Sequence, residues 1–331
     1  MTATPKESTG GLPFDNSPYI LAVYKPRGIS SFDCIRALKR SLFSILGKGK
    51  GRRKLKIGHF GTLDPFAEGV LLVGTGKALK LMKFFQEDMV KVYEGVGSLK
   101  FSTDTGDCDG ALLKESEELE VGEEDISHAL KSFEGEYLQR PPYFSAVKHQ
   151  GRPLYEWARE GHFIDKEPVR RFVHRCEFLK SEDQQYRFLC QVSSGTYIRG
   201  LWSDVAHQMG YFGHLTSLIR THWGDIEVKD CIKLSELDDS EALGAKVREG
   251  LKRPDKLWKL PSLILEDANA TKFRQGQFLF LNDALKDDQI PEDWQSLGWV
   301  YSREGTLLGL GVIENEGGAP YLKVSVSLVE S

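Results

Sequence analysis

Asp64 is the residue whose surroundings best suit it to chemistry. It stands in Gly58-His59-Phe60-Gly61-Thr62-Leu63-Asp64-Pro65, where two glycines, a histidine, a threonine and an Asp-Pro pair crowd eight positions. A residue before proline is pushed out of the helical region, and glycine allows turns that other residues resist, so the stretch reads as a rigid irregular loop. A carboxylate fixed on such a loop can act as nucleophile or base. The plainer reading is an aspartate that starts a turn by bonding its own backbone. A phosphate cradle is excluded. Gly74-Thr75-Gly76-Lys77-Ala78-Leu79 lacks the third glycine of a dinucleotide loop, and no Gly-x-x-x-x-Gly-Lys-Ser/Thr occurs.

Cations and rings collect at three other places. Lys48, Lys50, Arg52, Arg53, Lys54 and Lys56 run straight into the Gly58 loop, either as a solvated segment or as a phosphate-binding stripe. Gln139-Arg140-Pro141-Pro142-Tyr143-Phe144-Ser145-Ala146-Val147-Lys148 and the following Gly151 to Gly161 interleave basic and aromatic side chains, among them Lys148, Arg152 and Tyr155. Such a mixture suits RNA, since cations take phosphates while rings cover unstacked bases, and it equally suits an ordinary helical hairpin. Ser194-Gly195-Thr196-Tyr197-Ile198-Arg199 places an arginine at a strand-to-helix junction. Net charge is -4 over 331 residues, so any nucleic-acid contact must come from local basic patches rather than from the total.

The elements that position these residues follow from periodicity. Tyr19 to Tyr24 reads as a first strand, broken by Lys25-Pro26-Arg27-Gly28. Ser30 or Ser31 then caps a helix with apolar face Ile35, Leu38, Leu42 and Ile45. Val70 to Val73 reads as a buried strand, followed by a helical pattern Ala78, Leu81, Met82, Phe85. Met89 to Leu99 alternates Val90, Val92 and Val96 against Lys91, Tyr93 and Leu99. Ile126, Ala129, Leu130 and Phe133 mark a helix, Tyr186 to Ser193 a core strand, and Leu201, Val205, Ala206 and Met209 a helix ending at Gly210. Residues 235–259 are charged and helical in pattern and read as a linker, and short strands with turns at Glu304-Gly305 and Glu316-Gly317-Gly318 suggest a small β-rich unit beyond Leu260.

With 40% hydrophobic and 28% charged residues the composition is that of a globular protein. No apolar run reaches membrane-spanning length, and the N-terminus has no secretory pattern. Cys34, Cys108, Cys176, Cys190 and Cys231 form no Cys-x-x-Cys pair, which points to reduced thiols in a cytoplasm and away from a zinc site.

The Gly58 loop, with Phe66-Ala67-Glu68-Gly69-Val70-Leu71 and Gly76-Lys77-Ala78-Leu79-Lys80-Leu81, resembles the signature of the TruB pseudouridine synthases, whose aspartate is catalytic in the isomerisation of uridine in RNA. Further pieces recur in the family's order: Lys-Pro-x-Gly at Lys25, Lys-x-Tyr at Tyr93, the turn Thr103-Asp104-Thr105-Gly106-Asp107, Gly-Thr-Tyr-Ile-Arg at Arg199, and His214-Leu215-Thr216-Ser217-Leu218-Ile219-Arg220. The resemblance implies Asp64, Tyr93 and Arg199 as catalytic residues. Arg199 would pair with Asp64 and hold it charged; Tyr93 would stack on the base and serve in loss of the C5 proton. It also implies substrate contacts at His59, Tyr197, Leu218, Lys25, Lys148, Arg152, Tyr155 and Arg220. Phe60, Lys100-Phe101 and Ile219 depart from the family's usual residues.

The fold so implied is α+β: a pseudouridine synthase fold with a central mixed, mainly antiparallel sheet flanked by helices and carrying an inserted thumb, plus a small C-terminal PUA-like β unit. The expected division is a tail over 1–18, a catalytic domain over 19–255 with its thumb at about 135–168, and an RNA-binding domain over 256–331. The implied activity is conversion of uridine-55 in the tRNA T-arm to pseudouridine by a cytoplasmic monomer that uses no metal, cofactor, membrane or obligatory protein partner. The thumb, absent from guide-dependent relatives, favours recognition without a guide RNA. A non-catalytic RNA-binding protein and a guide-RNA particle subunit are the alternatives. A hydrolase is the most distant, since no second carboxylate is evident beside Asp64.

Overall fold

The computed structural model describes residues 18–45, 56–117, 120–237, 240–281, 291, 294, 297–316 and 319–329. The expected tail apart from Pro18, and the basic stripe before Lys56, lie outside the described residues. The first half of the chain forms β1 (Tyr19–Lys25), α1 (Ser31–Ile45), β2 (Ile57–His59), β3 (Glu68–Thr75), α2 (Met82–Asp88), β4 (Lys91–Ser98), β5 (Phe101–Thr103), β6 (Leu112–Glu115), α3 (Glu123–Lys131), β7 (Gly135–Gln139), β8 (Lys148–His149), β9 (Arg152–Pro153) and α4 (Leu154–Arg159). There follow β10 (Val169–Glu182), β11 (Gln185–Val192), α5 (Ile198–Gln208), β12 (His214–Trp223), β13 (Ile226–Glu227), β14 (Ile232–Lys233), α6 (Ser240–Gly250) and α7 (Pro254–Leu257). The C-terminal part holds β15 (Ser262–Leu265), α8 (Asp267–Arg274), β16 (Leu279–Phe280), β17 (Leu297–Ser302), β18 (Leu307–Glu316) and β19 (Ala319–Ser327).

Ten strands make one mixed sheet in the order β14-β1-β3-β12-β4-β11-β10-β7, with β2 paired to β3 and β13 to β12. The β1–β14 and β3–β12 pairs are parallel and the others antiparallel. β3 is buried from Gly69 to Thr75 because its two faces feed different cores. Val70 and Leu72 pack with Phe60, Phe85 and Trp223, whereas Leu71 and Val73 pack under α1 against Ile35, Leu38 and Leu42. A strand covered on both sides reads as a continuous apolar run, which is why Val70 to Val73 shows no alternation. Ser30 caps α1: its Oγ accepts from the Asp33 amide at 3.1 Å, and Asp33 Oδ2 accepts from the Ser30 amide at 3.1 Å.

β4 turns Lys91, Tyr93 and Gly95 inward and leaves Val92 and Val96 half-buried. Its glycines admit neighbouring rings: a methyl group at Gly97 would sit 2.0 Å from Trp202 and one at Gly95 2.5 Å from Phe188. β10 is a long strand that the sequence reading leaves unassigned. Together with β7 it closes the base of an excursion over 140–168, with Gln139 opposite Val169.

A second sheet runs in the order β15-β17-β18-β19-β16, giving the PUA-like unit and an α+β class overall. It is joined to the first by a shared apolar cluster in which Trp258 and Trp299 meet Phe85, Leu72 and Ile20. The linker reading of 235–259 therefore needs correction. Its helical pattern is borne out by α6 and α7, but Val247 and Trp258 are buried, so the described part of the stretch is packed structure and no free linker. No helix among the described residues is long and apolar enough to cross a membrane.

Candidate active site

The Asp64 loop is held from behind by the turn between β1 and α1. The Gly28 amide donates to Pro65 O at 2.8 Å. Ser31 Oγ both donates to Leu63 O, at 3.0 Å, and accepts from the Leu63 amide, at 2.8 Å. Lys25, fully buried, donates to the carbonyls of Ala67 at 2.6 Å and Pro26 at 2.9 Å, and more weakly to Pro65 at 3.3 Å. Burial brings its ammonium down to about 8. A buried cation spent on carbonyls is a clamp on the loop. Lys25 thus supports Asp64 and does not reach out toward phosphate.

Arg199 arrives on the first turn of α5, 135 residues further on, and its Nε donates to Asp64 Oδ2 at 2.7 Å. Nη1 donates to Thr105 O and Nη2 to Phe144 O, the latter at 3.0 Å. The guanidinium is 4% exposed, while the Asp64 side chain retains 33%. A guanidinium so fixed on three sides presents its fork in one orientation, and the carboxylate it grips keeps an edge open to the cleft. Asp107 lies 3.7 Å from the same Nε, so a second carboxylate does share the arginine, contrary to the sequence reading. It accepts from Thr105 Oγ1 at 2.7 Å and the Asp109 amide at 3.1 Å, and burial raises its carboxyl above the usual range. It flanks Arg199 and is not part of the cleft lining.

The cleft has a volume of about 260 Å³ and is lined by Asp64, Tyr93, Tyr197, Leu218, Lys91 and Ser145 among others. That is below the roughly 300–1,000 Å³ typical of sites for larger ligands and suits a single base. Tyr93 and Leu218 are buried walls. Burial raises the Tyr197 phenol above its ordinary range. Arg220, 1% exposed, donates to Val70 O at 2.7 Å, Gly61 O at 3.3 Å and the Tyr93 hydroxyl at 3.3 Å. It sits 4.5 Å from the Trp223 ring and is part of the cleft lining, so the expected RNA contact is a buried cation at the cleft wall that holds the Tyr93 hydroxyl. His59 pairs opposite Val73 and does not line the cleft. Burial, reinforced by the charge of Arg220, lowers its imidazole.

Lys148, Arg152 and Tyr155, on the 140–168 excursion, are not among the residues that line the Asp64 cleft. Lys148 is exposed; Arg152 donates to Glu156 at 2.8 Å and Glu160 at 2.7 Å and covers Trp157. Tyr155 lies under the Arg159 guanidinium, 5.3 Å from its ring centroid. The excursion still touches the site, through Phe144 O on Arg199 and through Ser145 and Ala146 in the lining.

Two positioning residues escaped the sequence reading. Gln139 accepts from the Tyr197 amide and donates to Tyr197 O, both at 2.8 Å, pinning the start of α5 to β7. Lys91 lines the cleft floor, where burial lowers its ammonium to about 7. Its neighbour Tyr93 drew attention, and a lysine on a strand reads as solvent-facing.

Residues 48–198 match the model of the TruB family pseudouridylate synthase N-terminal domain. A tRNA pseudouridine synthase B of Bacillus anthracis is 32% identical over 268 residues, covering 78% of this chain and 83% of that protein. One from Lactococcus lactis subsp. lactis is 38% identical over 232 residues, covering 68% and 67%. Among solved structures, a chain of a Cbf5-Nop10-Gar1 complex superposes with TM-score 0.69 at 23% identity, over 94% of this chain and 85% of that one, a likeness of fold.

Proposed function

Since the chain belongs to the TruB family of pseudouridylate synthases, we propose that it isomerises uridine to pseudouridine in tRNA, with uridine-55 of the T-arm as its target. The observation that carries this is the 2.7 Å contact of Arg199 with a part-exposed Asp64 at a base-sized cleft. A paired uridine hides C5 and the C1′–N1 bond, so the nucleotide must leave its stack to meet the carboxylate. Asp64 then attacks C1′ or C6, or assists departure of uracil. The C1′–N1 bond breaks, the base turns, C1′–C5 forms, C5 gives up its proton and N1 gains one. Tyr93, held by Arg220, takes the C5 proton or orients the group that does. Substrate and product are isomers, so the reaction calls for no redox cofactor and no donor group.

In this reading 19–255 is the catalytic domain, its 140–168 excursion grips the T-arm, and the PUA-like part over 256–331 extends the contact along the tRNA. The protein acts as a monomer in the cytoplasm, without an obligatory partner. Incubating purified chain with an unmodified tRNA transcript and mapping pseudouridine tests this. Modification of one T-arm uridine by the chain alone supports it. Modification only when guide RNA and partner proteins are added would make the chain a guide-dependent subunit. Tight tRNA binding with no isomerisation would make it an RNA-binding protein.

A further inference from the structure

One cation at the rim of the cleft has no task in this scheme. Arg171 lies on β10 between Arg170, which sits 3.6 Å from Glu136, and the exposed Phe172. It pairs in register with the buried Tyr137, so it faces the site side of the sheet while its two neighbours face outward. Among the described residues no acid or carbonyl takes its N–H groups, and its Nε is buried without a partner. The guanidinium rests on Gly195, where a methyl group would fall 3.0 Å from both Cζ and Nη2. Gly195 lies in the cleft lining with Ser194 and Thr196, and its φ of +75° also favours glycine. The charge of Arg171 is felt at Tyr197, two residues on.

A half-buried guanidinium that gives up water without gaining an acceptor is costly unless a ligand supplies one. The nearest carboxylate chemistry of the site is already committed, because Asp64 and Asp107 both face Arg199. A planar fork with free N–H groups matches two oxygens of a phosphodiester. Resting on the pseudouridine synthase reading, we propose that Arg171 binds a backbone phosphate of the RNA strand beside the nucleotide in the cleft, a contact that holds the bound strand equally before and during the reaction.

Affinity of the native chain, Arg171→Gln and Arg171→Lys for a T-arm stem-loop RNA, followed against KCl concentration, tests this. Arg171→Gln should weaken binding roughly tenfold at low salt. It should also flatten the log Kd against log salt slope by about 0.7 to 0.9, the share of one phosphate. Arg171→Lys should keep the native slope, and Arg171→Gln should raise KM with kcat within about twofold of native. A native slope and Kd in Arg171→Gln, or a fall in kcat alone, would overturn the proposal. RNAs with a single neutral methylphosphonate in place of each T-loop phosphate give the same answer on the native protein. One position should lose affinity to the native chain and none should matter at that position to Arg171→Gln; equal tolerance at every position contradicts it. Absence of pseudouridine formation by the native chain would instead refute the underlying activity.

Discussion

Arg199 and Arg152 close on carboxylates at nearly the same distance, 2.7 Å to Asp64 and 2.8 Å to Glu156. Their surroundings make the contacts unequal. Arg199 is 4% exposed and spends its remaining N–H groups on the carbonyls of Thr105 and Phe144, whereas the Arg152 side chain, on β9, is 33% exposed and bonds to Glu156 of α4 and to Glu160 just past it. Water replaces a lost partner at the second site and cannot at the first. An ion pair on a surface is therefore a local preference, while one in a cleft wall fixes what it touches. The same length fixes a carboxylate at the cleft in one region and ties together exposed side chains in the other.

Breaking the buried partner should have the larger effect. Arg199→Ala strands Asp64, Asp107 and two carbonyls, and should lower unfolding free energy by about 3 kcal/mol, near the low end for a broken buried pair because Asp64 keeps a third of its exposure. Its kcat for pseudouridine formation should fall roughly 10²- to 10³-fold through loss of carboxylate orientation. Denaturant unfolding and single-turnover kinetics check the two parts. Retained activity would erase the contrast between the regions.

Lys91 sharpens the contrast, being a buried cation that bonds to the carbonyls of Gln86 and Met89 and, among the described residues, to no carboxylate. The unfolded chain keeps this proton up to about 10.5, and the folded chain releases it near 7, so across that interval the unfolded state binds more protons and stability rises with pH. From pH 7 to 9 the native chain should gain on Lys91→Met by about 1 kcal/mol per pH unit in denaturant titrations. Parallel stability curves would contradict the burial cause. Smallest of all, Arg152→Ala should leave the melting midpoint within about 2 °C of native. A larger drop would mean that the exposed pair is structural after all.

Much of the scaffold was legible in sequence because burial leaves a period. The face Ile35, Leu38 and Leu42 of α1, the run Val70 to Val73 and the helix ending at Gly210 all lie where their patterns put them. β10 was not legible, since Arg170, Arg171, His174 and Arg175 interrupt its alternation, and those charges face the site, a partner glutamate or solvent. Nothing local in residues 58–65 points to Arg199, which lies 135 positions away; that pairing is implied by the family resemblance alone. The burial of Arg220 and Lys25, expected as substrate contacts, was not legible because no sequence pattern announces the backbone carbonyls of Val70, Gly61 and Ala67 that accept from them.

The central claim is that one carboxylate, Asp64, carries out the isomerisation. Its most direct test is the single-turnover rate of pseudouridine formation in a tRNA transcript by the native chain and by Asp64→Asn, at saturating protein and with RNA affinity measured alongside. The account predicts that Asp64→Asn binds the transcript with near-native affinity and converts it at least about 10⁴-fold more slowly. Rates within tenfold of one another would contradict it.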